Sequence, residues 1–317
     1  MSGRHKKRRK EMLKAQSSKD EASGRSVMRF YDRNYKKILI AASALFIICT
    51  LFVLYNYINT GELFKKDVSL KGGVTMTIEK DIGASPAEVK SYLYSRFPAA
   101  DLIVRSISAA SRSGLLIEAS DADAEGIITA LSEKYGPIER SDYSVDIVGS
   151  SLGSGFMKAM MLAVLMAFIF MAVTVFIYFR MLVPSLFIVW CALADIISTL
   201  AVVNILGIKL STAGLATFLM LIGYSVDTDI LLTARVLKTK EGGINERIRS
   251  AFKTGITMSL TTLVATATAY FLSEPGMIKQ IMLIISIGMV FDMLYTWLIN
   301  AGVLKLYLQS KKQRGVL

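Results

Sequence analysis

The sequence predicts an α-helical membrane protein of six spans, with a small ferredoxin-like α+β domain inserted between the first and second. Three observations predict it. Six apolar runs recur along the chain, each of roughly the 20 residues needed to cross a bilayer core. Lys and Arg gather at alternate ends of those runs. Between the first two runs lies a charged stretch in which strand-like and helix-like patterns alternate.

Composition supports the same class. Hydrophobic residues make up 53% of the 317, and the mean hydropathy is +0.48, which argues against a large soluble core. The net charge of +12 does not indicate a nucleic-acid partner, and none is expected. Before residue 38 there are 13 Lys and Arg against 4 Asp and Glu, a balance of +9, and the other basic residues sit at the ends of apolar runs. Cys49 and Cys191 lie inside apolar runs and the single histidine, His5, is near the start. Neither a disulfide framework, a metal site nor a cofactor is expected.

Taken in order, residues 1–37 read as a basic cytoplasmic tail. Its cluster of Arg4, Lys6, Lys7, Arg8, Arg9 and Lys10 suits a surface of anionic membrane lipid. Residues 38–58 are the first transmembrane helix, with Tyr55 and Tyr57 as interface anchors. No small-residue cleavage site follows, so the run reads as a span and not a signal peptide. Positive charge before it puts residues 59–155 outside the cytoplasm.

That insert reads β-α-β-β-α-β. Val68, Leu70, Val74, Met76 and Ile78 alternate with polar residues and predict a first strand. Ser85-Pro86-Ala87-Glu88 is a capping box with proline at the first helical position, followed by Val89, Leu93 and Phe97 on one face. Residues 101–107 and 115–119 are strands. Ser120 or Asp121 is expected to cap a second helix, which Gly136-Pro137 ends. Tyr143, Val145 and Ile147 supply the last strand, completing the split βαβ pattern. No catalytic grouping stands out in it. Gly149, Gly153 and Gly155 suggest a flexible hinge into the next span.

Residues 156–304 hold transmembrane helices 2–6, at about 156–179, 183–206, 213–234, 254–272 and 281–304. Residues 305–317 form a cytoplasmic tail, so both termini are expected inside a multi-pass protein of the cell membrane. In the basic loop 235–253, Ile244, Ile248 and Phe252 share a face and predict a short helix lying on the membrane surface.

Four aspartates fall inside spans: Asp195 in the third, Asp227 and Asp229 in the fourth, Asp292 in the sixth. A charge at mid-bilayer costs about 2.5–3.5 kcal/mol by insertion scales, so each needs a partner or a function. Asp227 and Asp229 point about 200° apart on a helix. Asp227 shares the stripe of Ala216, Met220, Gly223, Leu231 and Ala234, which suits a neighbouring helix. Asp229 shares the more polar stripe of Ile222, Ser225 and Thr233, which suits a wetter groove or a second subunit. One reading makes the aspartates helix-to-helix glue. The other makes them groups that bind and release a proton or cation.

These residues carry a resemblance. Ile222-Gly-Tyr-Ser-Val-Asp-Thr-Asp229 resembles the fourth-span signature of SecF, of the SecD/SecF protein-export family in the wider RND permease superfamily. Asp195 in Leu-Ala-Asp-Ile-Ile-Ser-Thr, Ser259-Leu-Thr-Thr-Leu263, Val148-Gly149 with Leu152-Gly153, and Leu70-Lys-Gly-Gly73 are similar to further family motifs. Asp227-Thr228-Asp229 stands where bacterial members read Asn-Asp-Thr, and Ser69 where an Asp is common, so the chain looks more archaeal than bacterial. The resemblance implies an RND-type half and a helix-packing motif of Gly223, Tyr224, Ser225, Ser259, Thr261 and Thr262. It implies ion flow through a polar seam in the bundle. Of the ion-coupling candidates, Asp227 ranks first because Gly223 one turn before it admits a neighbouring helix. Asp229 ranks second on the other face, Asp195 third at the midplane, and Asp292 last, since the family signature gives it no support. The resemblance also implies a SecD-like partner, the Sec translocation channel and an unfolded client polypeptide.

Two other readings compete. Half of an RND-type exporter of lipids or small molecules would ordinarily carry two inserts and twelve spans in one chain. An intramembrane aspartyl protease needs paired Tyr-Asp and Gly-x-Gly-Asp motifs, whereas Asp227 follows Ser-Val and Asp292 follows Phe. No enzymatic activity is expected.

Overall fold

A computed structural model describes residues 33–80, 82–109, 112–239 and 243–313. Most of the basic tail, part of the turn at 110–111, part of the basic loop at 240–242 and Arg314 lie outside the described residues. Six helices are long and apolar enough to cross a membrane. The first, α1, runs Arg33–Thr60.

A four-residue helix, α2 (Val68–Lys71), follows. This corrects the expected strand start at Val68 and Leu70. Asp67 caps the turn, its side chain accepting from the Val68 N–H, and Gly72 at φ 90° ends it, which a side-chain-bearing residue rarely matches. Val68 and Leu70 are both buried because this single turn is covered on opposite sides, Val68 lying by Gly73 and Leu70 packing with Phe64 and Leu210.

The domain then runs β1 (Gly73–Ile78), α3 (Pro86–Arg96), β2 (Asp101–Ala109), β3 (Arg112–Ser120), α4 (Ala124–Tyr135) and β4 (Tyr143–Val148). The sheet order is β2-β3-β1-β4 and every pairing is antiparallel, the ferredoxin-like arrangement. Met76, Ile78 and Ile117 point from one sheet face onto Val89 and Leu93 of α3 and Ile127 and Leu131 of α4, forming one core. The capping box forms as expected. Ser85 N–H donates to Glu88 Oε2 at 3.0 Å, and Glu88 N–H donates to Ser85 Oγ at 3.3 Å. The cap of α4 is Asp123 and not Ser120 or Asp121, because Asp121 sits at φ 60° and two more residues pass before the helix starts.

The bundle comprises α5 (Ser150–Phe179), α6 (Leu182–Ile205), α7 (Thr212–Lys238), α8 (Ile244–Leu272) and α9 (Met277–Tyr295). A π-helical turn, Thr296–Asn300, continues α9 into α10 (Ala301–Gln313). Half of the most apolar stretch of α6 and of α7 is buried, against 11% for α5 and α8, so α6, α7 and α9 form the centre.

Two further expectations change. The glycine-rich junction is helical: Gly149 is the cap of α5, and Gly153 and Gly155 lie in its opening turns. A Cβ on Gly153 would sit 2.7 Å from the Leu70 carbonyl oxygen, so this glycine lets α5 press against α2. The expected surface helix at 244–252 is the start of the continuous α8. Ile248 and Ala251 satisfy its apolar face by packing with Leu232 and Val236 of α7. Phe252 lies edge-on to Trp297, with ring centroids 5.0 Å apart.

The α+β domain is sewn to the α6–α7 turn. Asp67 N–H donates to the Leu210 carbonyl at 2.9 Å and Leu210 N–H to the Lys65 carbonyl at 2.8 Å. Asn204 Nδ2 donates to the Leu63 carbonyl at 2.8 Å, and Thr212 N–H to Ser69 Oγ at 3.1 Å.

Gly153→Leu should lower the thermal stability of the purified chain by about 1–3 kcal/mol, the usual cost of overpacking. Gly155→Ala, whose Cβ would meet nothing within 4 Å, should match or exceed wild type. Equal melting of Gly153→Leu and wild type would remove the α2–α5 contact from this account.

Candidate functional site

Helix periodicity decides which polar groups meet. On α7 the buried face carries Phe218, Leu221, Ser225, Thr228, Asp229, Leu232 and Val236, spaced three or four apart. Asp229 is therefore turned inward and fully buried. Asp227, about 200° around the helix, is exposed beside Met220, Gly223 and Tyr224. The expected orientation is reversed. The longer apolar stripe through Leu221, Leu232 and Val236 outweighs the small-residue stripe in fixing which face the bundle covers.

Asp195 of α6 and Asp292 of α9 are also buried, at 1% and 0% exposure. The structure thus gathers Asp195, Asp229 and Asp292 among α6, α7 and α9, and leaves Asp227 out. Ser225 donates to Asp195 Oδ2 at 2.5 Å. Thr296 contacts two carboxylates, Asp229 Oδ1 at 2.9 Å and Asp292 Oδ1 at 3.3 Å. Asn300 Nδ2 donates to Asp229 Oδ1 at 2.7 Å. Ser198 and Tyr295 hydroxyls, 2.6 Å apart, close the side toward α6.

The second oxygens, Asp195 Oδ1, Asp229 Oδ2 and Asp292 Oδ2, are buried and accept no hydrogen bond from a described residue. No described Lys or Arg forms a salt bridge with any of the three. Among the described residues no group of three or more His, Cys, Asp or Glu side chains is arranged to hold a metal ion. The carboxylates form a cluster rather than one coordination shell: the Thr296 hydroxyl stands between Asp229 and Asp292, the Asn300 amide holds Asp229, and Ser225 holds Asp195. A hydroxyl placed as Thr296 is, between Asp229 and Asp292, can pass a proton from one to the other, since it both donates and accepts.

The helix-packing motif divides. Ser225 and Ser259 are buried, but Gly223 meets nothing within 4 Å, Tyr224 and Thr261 are exposed, and Thr262 is half-buried. Thr261 and Thr262 hydroxyls return to the backbone of α8, the Thr262 bond to the Met258 carbonyl measuring 3.2 Å. Close helix approach falls instead at Gly255 against Trp297 and at Gly288 against Leu221. Thr296 and Asn300 were not singled out from sequence. Their signal is the polar series Asp292, Thr296, Asn300 at four-residue steps. The π-turn marks the same place: the Ala301 N–H reaches back to the Thr296 carbonyl.

Fold and site define a polytopic membrane protein that buries three carboxyl groups between its central helices and carries an α+β domain between its first two spans. The family model "Protein export membrane protein SecD/SecF, C-terminal" matches residues 127–310. The SecF protein-export membrane protein of Pyrococcus furiosus is 36% identical over 278 residues, covering 87% of this chain and 92% of the relative. That of Methanothermobacter thermautotrophicus is 37% identical, covering 88% and 94%. The SecDF crystal structure from Thermus thermophilus superposes with a TM-score of 0.68 at 15% identity, covering 87% of this chain and 38% of that longer one. The chain belongs to the SecF family of protein-export membrane proteins.

Thr296→Val keeps shape but removes the donor shared by Asp229 and Asp292. It should cost about 1–3 kcal/mol in thermal unfolding of the purified chain. Thr261→Val, on the exposed face of α8, should stay within about 0.5 kcal/mol of wild type. Equal effects would mean that the bridging hydroxyl holds nothing together.

Proposed function

We propose that this chain, as a SecF subunit, works in the cell membrane with a SecD-like subunit and the Sec channel to assist the passage of unfolded polypeptide. In this reading an ion gradient acts on the buried carboxyl chain. The observation that carries the reading is the length of the match: SecF relatives align across both the α+β domain and the bundle, over 87–88% of the chain. An exporter of lipids or small molecules has no such support.

Orientation follows from charge. The tail balance of +9, Arg180 after α5, the basic residues around 235–253, and Lys305 and Lys311 near the end favour the cytoplasmic side. The α+β domain then lies outside, where emerging polypeptide passes.

A partner follows from Asp227. A carboxylate on the outer face of α7 would meet lipid at a cost of about 2.5–3.5 kcal/mol at mid-bilayer. A SecD-like subunit seated over Met220, Gly223, Tyr224 and Asp227 removes that cost. The Thermus structure is of a translocon-associated SecDF whose chain is much longer than this one, consistent with a separate SecD-like partner here.

Support for coupling comes from three buried carboxyl groups whose partners among the described residues are hydroxyls and an amide. Asn has nearly the shape of a protonated Asp but cannot release a proton. Asp195→Asn, Asp229→Asn and Asp292→Asn should each still co-purify with the SecD-like subunit in mild detergent. At least one, with Asp229→Asn foremost, should secrete a reporter at the level that wild type shows with an uncoupler. If all three match wild type with and without uncoupler, the aspartates only hold helices together. Absence of a SecD-like protein from the purified wild-type complex would contradict the proposed partner.

A further inference from the structure

The outer ends of the two helices that carry Asp229 and Asp292 meet at one point, and that point is tied to the α+β domain. Ser211, the cap of α7, donates from Oγ to Gln280 Oε1 at 2.5 Å. Gln280, in the first turn of α9, donates from Nε2 to the Lys209 carbonyl at 2.5 Å. A Cβ on Gly214 would lie 3.1 Å from Gln280 Oε1, so the two helices approach closely there. The Lys209 ammonium donates to Asp101 Oδ1, at the start of β2. Lys71 stands 3.6 Å from the other oxygen of the same carboxylate.

The electrostatics of this junction are mixed. Partial burial acts to raise the Asp101 carboxyl, but the hydrogen bond and charge of Lys209, with Lys71 behind it, hold it below the usual range. Asp67 and Glu118 lie close by. Burial raises both, the neighbouring carboxylate adds to this for Glu118, and Arg105 and Lys209 act against it. The Glu118–Arg105 pair measures 3.6 Å. Lys209 thus pairs directly with this group from the bundle, whereas Lys279 of α9 lines a cavity with Asp67, Arg105 and Glu118 but lies over the Tyr270 ring, and Arg105 and Lys71 belong to the domain itself. Lys209 is 21% exposed at the side chain and Asp101 34%, so the pair is only partly screened and remains open to exchange with water.

Geometry makes Lys209 sensitive to the carboxyl chain. Asp229 lies about 26 Å along α7 from Thr212, and Asp292 about 18 Å along α9 from Gln280, at 1.5 Å per residue. Thr296 links the two carboxylates at the far end, and Ser211 with Gln280 links the same helices at the near end. A shear of α7 against α9 must therefore displace Gln280 and the Lys209 backbone that it holds. We propose that Lys209 is a positioning residue, set by Gln280, that passes the relative shift of α7 and α9 to the α+β domain through Asp101. This rests on the ion-coupled export reading above.

The test uses the assembled complex and reporter secretion with and without an uncoupler. Lys209→Met keeps the stem and removes the charge, and Lys209→Arg restores the charge. The expected result is that Lys209→Met assembles with its SecD-like partner yet loses the gradient-dependent increment, that Lys209→Arg keeps it, and that Gln280→Leu loses it as well. A purely structural tie would lower the amount of complex and leave the uncoupler response of what remains unchanged, and that result overturns the proposal. So does a Lys209→Met complex stimulated as strongly as wild type. Wild type insensitive to the uncoupler would defeat the coupling reading itself, and with it this inference. The wild-type arm alone separates the two failures.

Discussion

Three carboxyl groups lie inside the centre of a membrane bundle, and among the described residues no cation is paired to any of them. Burial of charge in a low-dielectric interior is costly unless donors surround it or the charge is removed. The chain answers with hydroxyls and an amide: Ser225 for Asp195, Thr296 and Asn300 for Asp229, Thr296 again for Asp292. Those donors sit on α7 and on the π-turn that follows α9. Bringing them together places α6, α7 and α9 in the centre and leaves α1, α5 and α8 on the outside of the bundle. The π-turn belongs to the same solution, since a widened turn places Thr296 and Asn300 on one carboxylate.

The same helices position the α+β domain. α7 begins at Thr212, whose N–H is held by Ser69 of α2, and the turn before it is hydrogen-bonded into the segment after α1. α5 is pressed onto α2 at Gly153. The domain is therefore anchored through short backbone contacts, a few half-buried charges and an apolar cluster in which Phe64 and Leu70 pack with Val203, Leu210, Phe218 and Ile284 of the bundle. Such an anchorage holds register yet can shift when the helices beneath it move.

Much of this was legible in the sequence, for identifiable reasons. Spans follow from length and apolarity, and the sheet from two-residue alternation in Val74, Met76 and Ile78. The first domain helix follows from Ser85, Pro86 and Glu88, whose capping is local and needs no tertiary context. What was not legible depends on which neighbour an element finds. Val68 and Leu70 fit a strand or a buried turn equally, and Asp67 with Gly72 decides for the turn. Helix spacing puts Asp227 and Asp229 on opposite faces, but which face is covered depends on the whole length of α7. Ile248 and Phe252 read as lipid-seeking, yet α7 and Trp297 take up that face. Gly153 read as freedom and acts as close contact. Thr296 and Asn300 were visible as a four-residue polar series after Asp292, a pattern easily lost among the many Ser and Thr residues of membrane helices.

The central claim is that the buried carboxyl chain exchanges a proton. Infrared difference spectroscopy of the reconstituted complex, with the pH stepped on one side of the membrane, reads this directly through the carbonyl absorption of protonated carboxyl groups. The account predicts a pH-dependent change in that absorption for wild type, absent from an assembled variant carrying D195N, D229N and D292N together. Identical difference spectra for the two would contradict it, leaving the three aspartates as fixed packing groups.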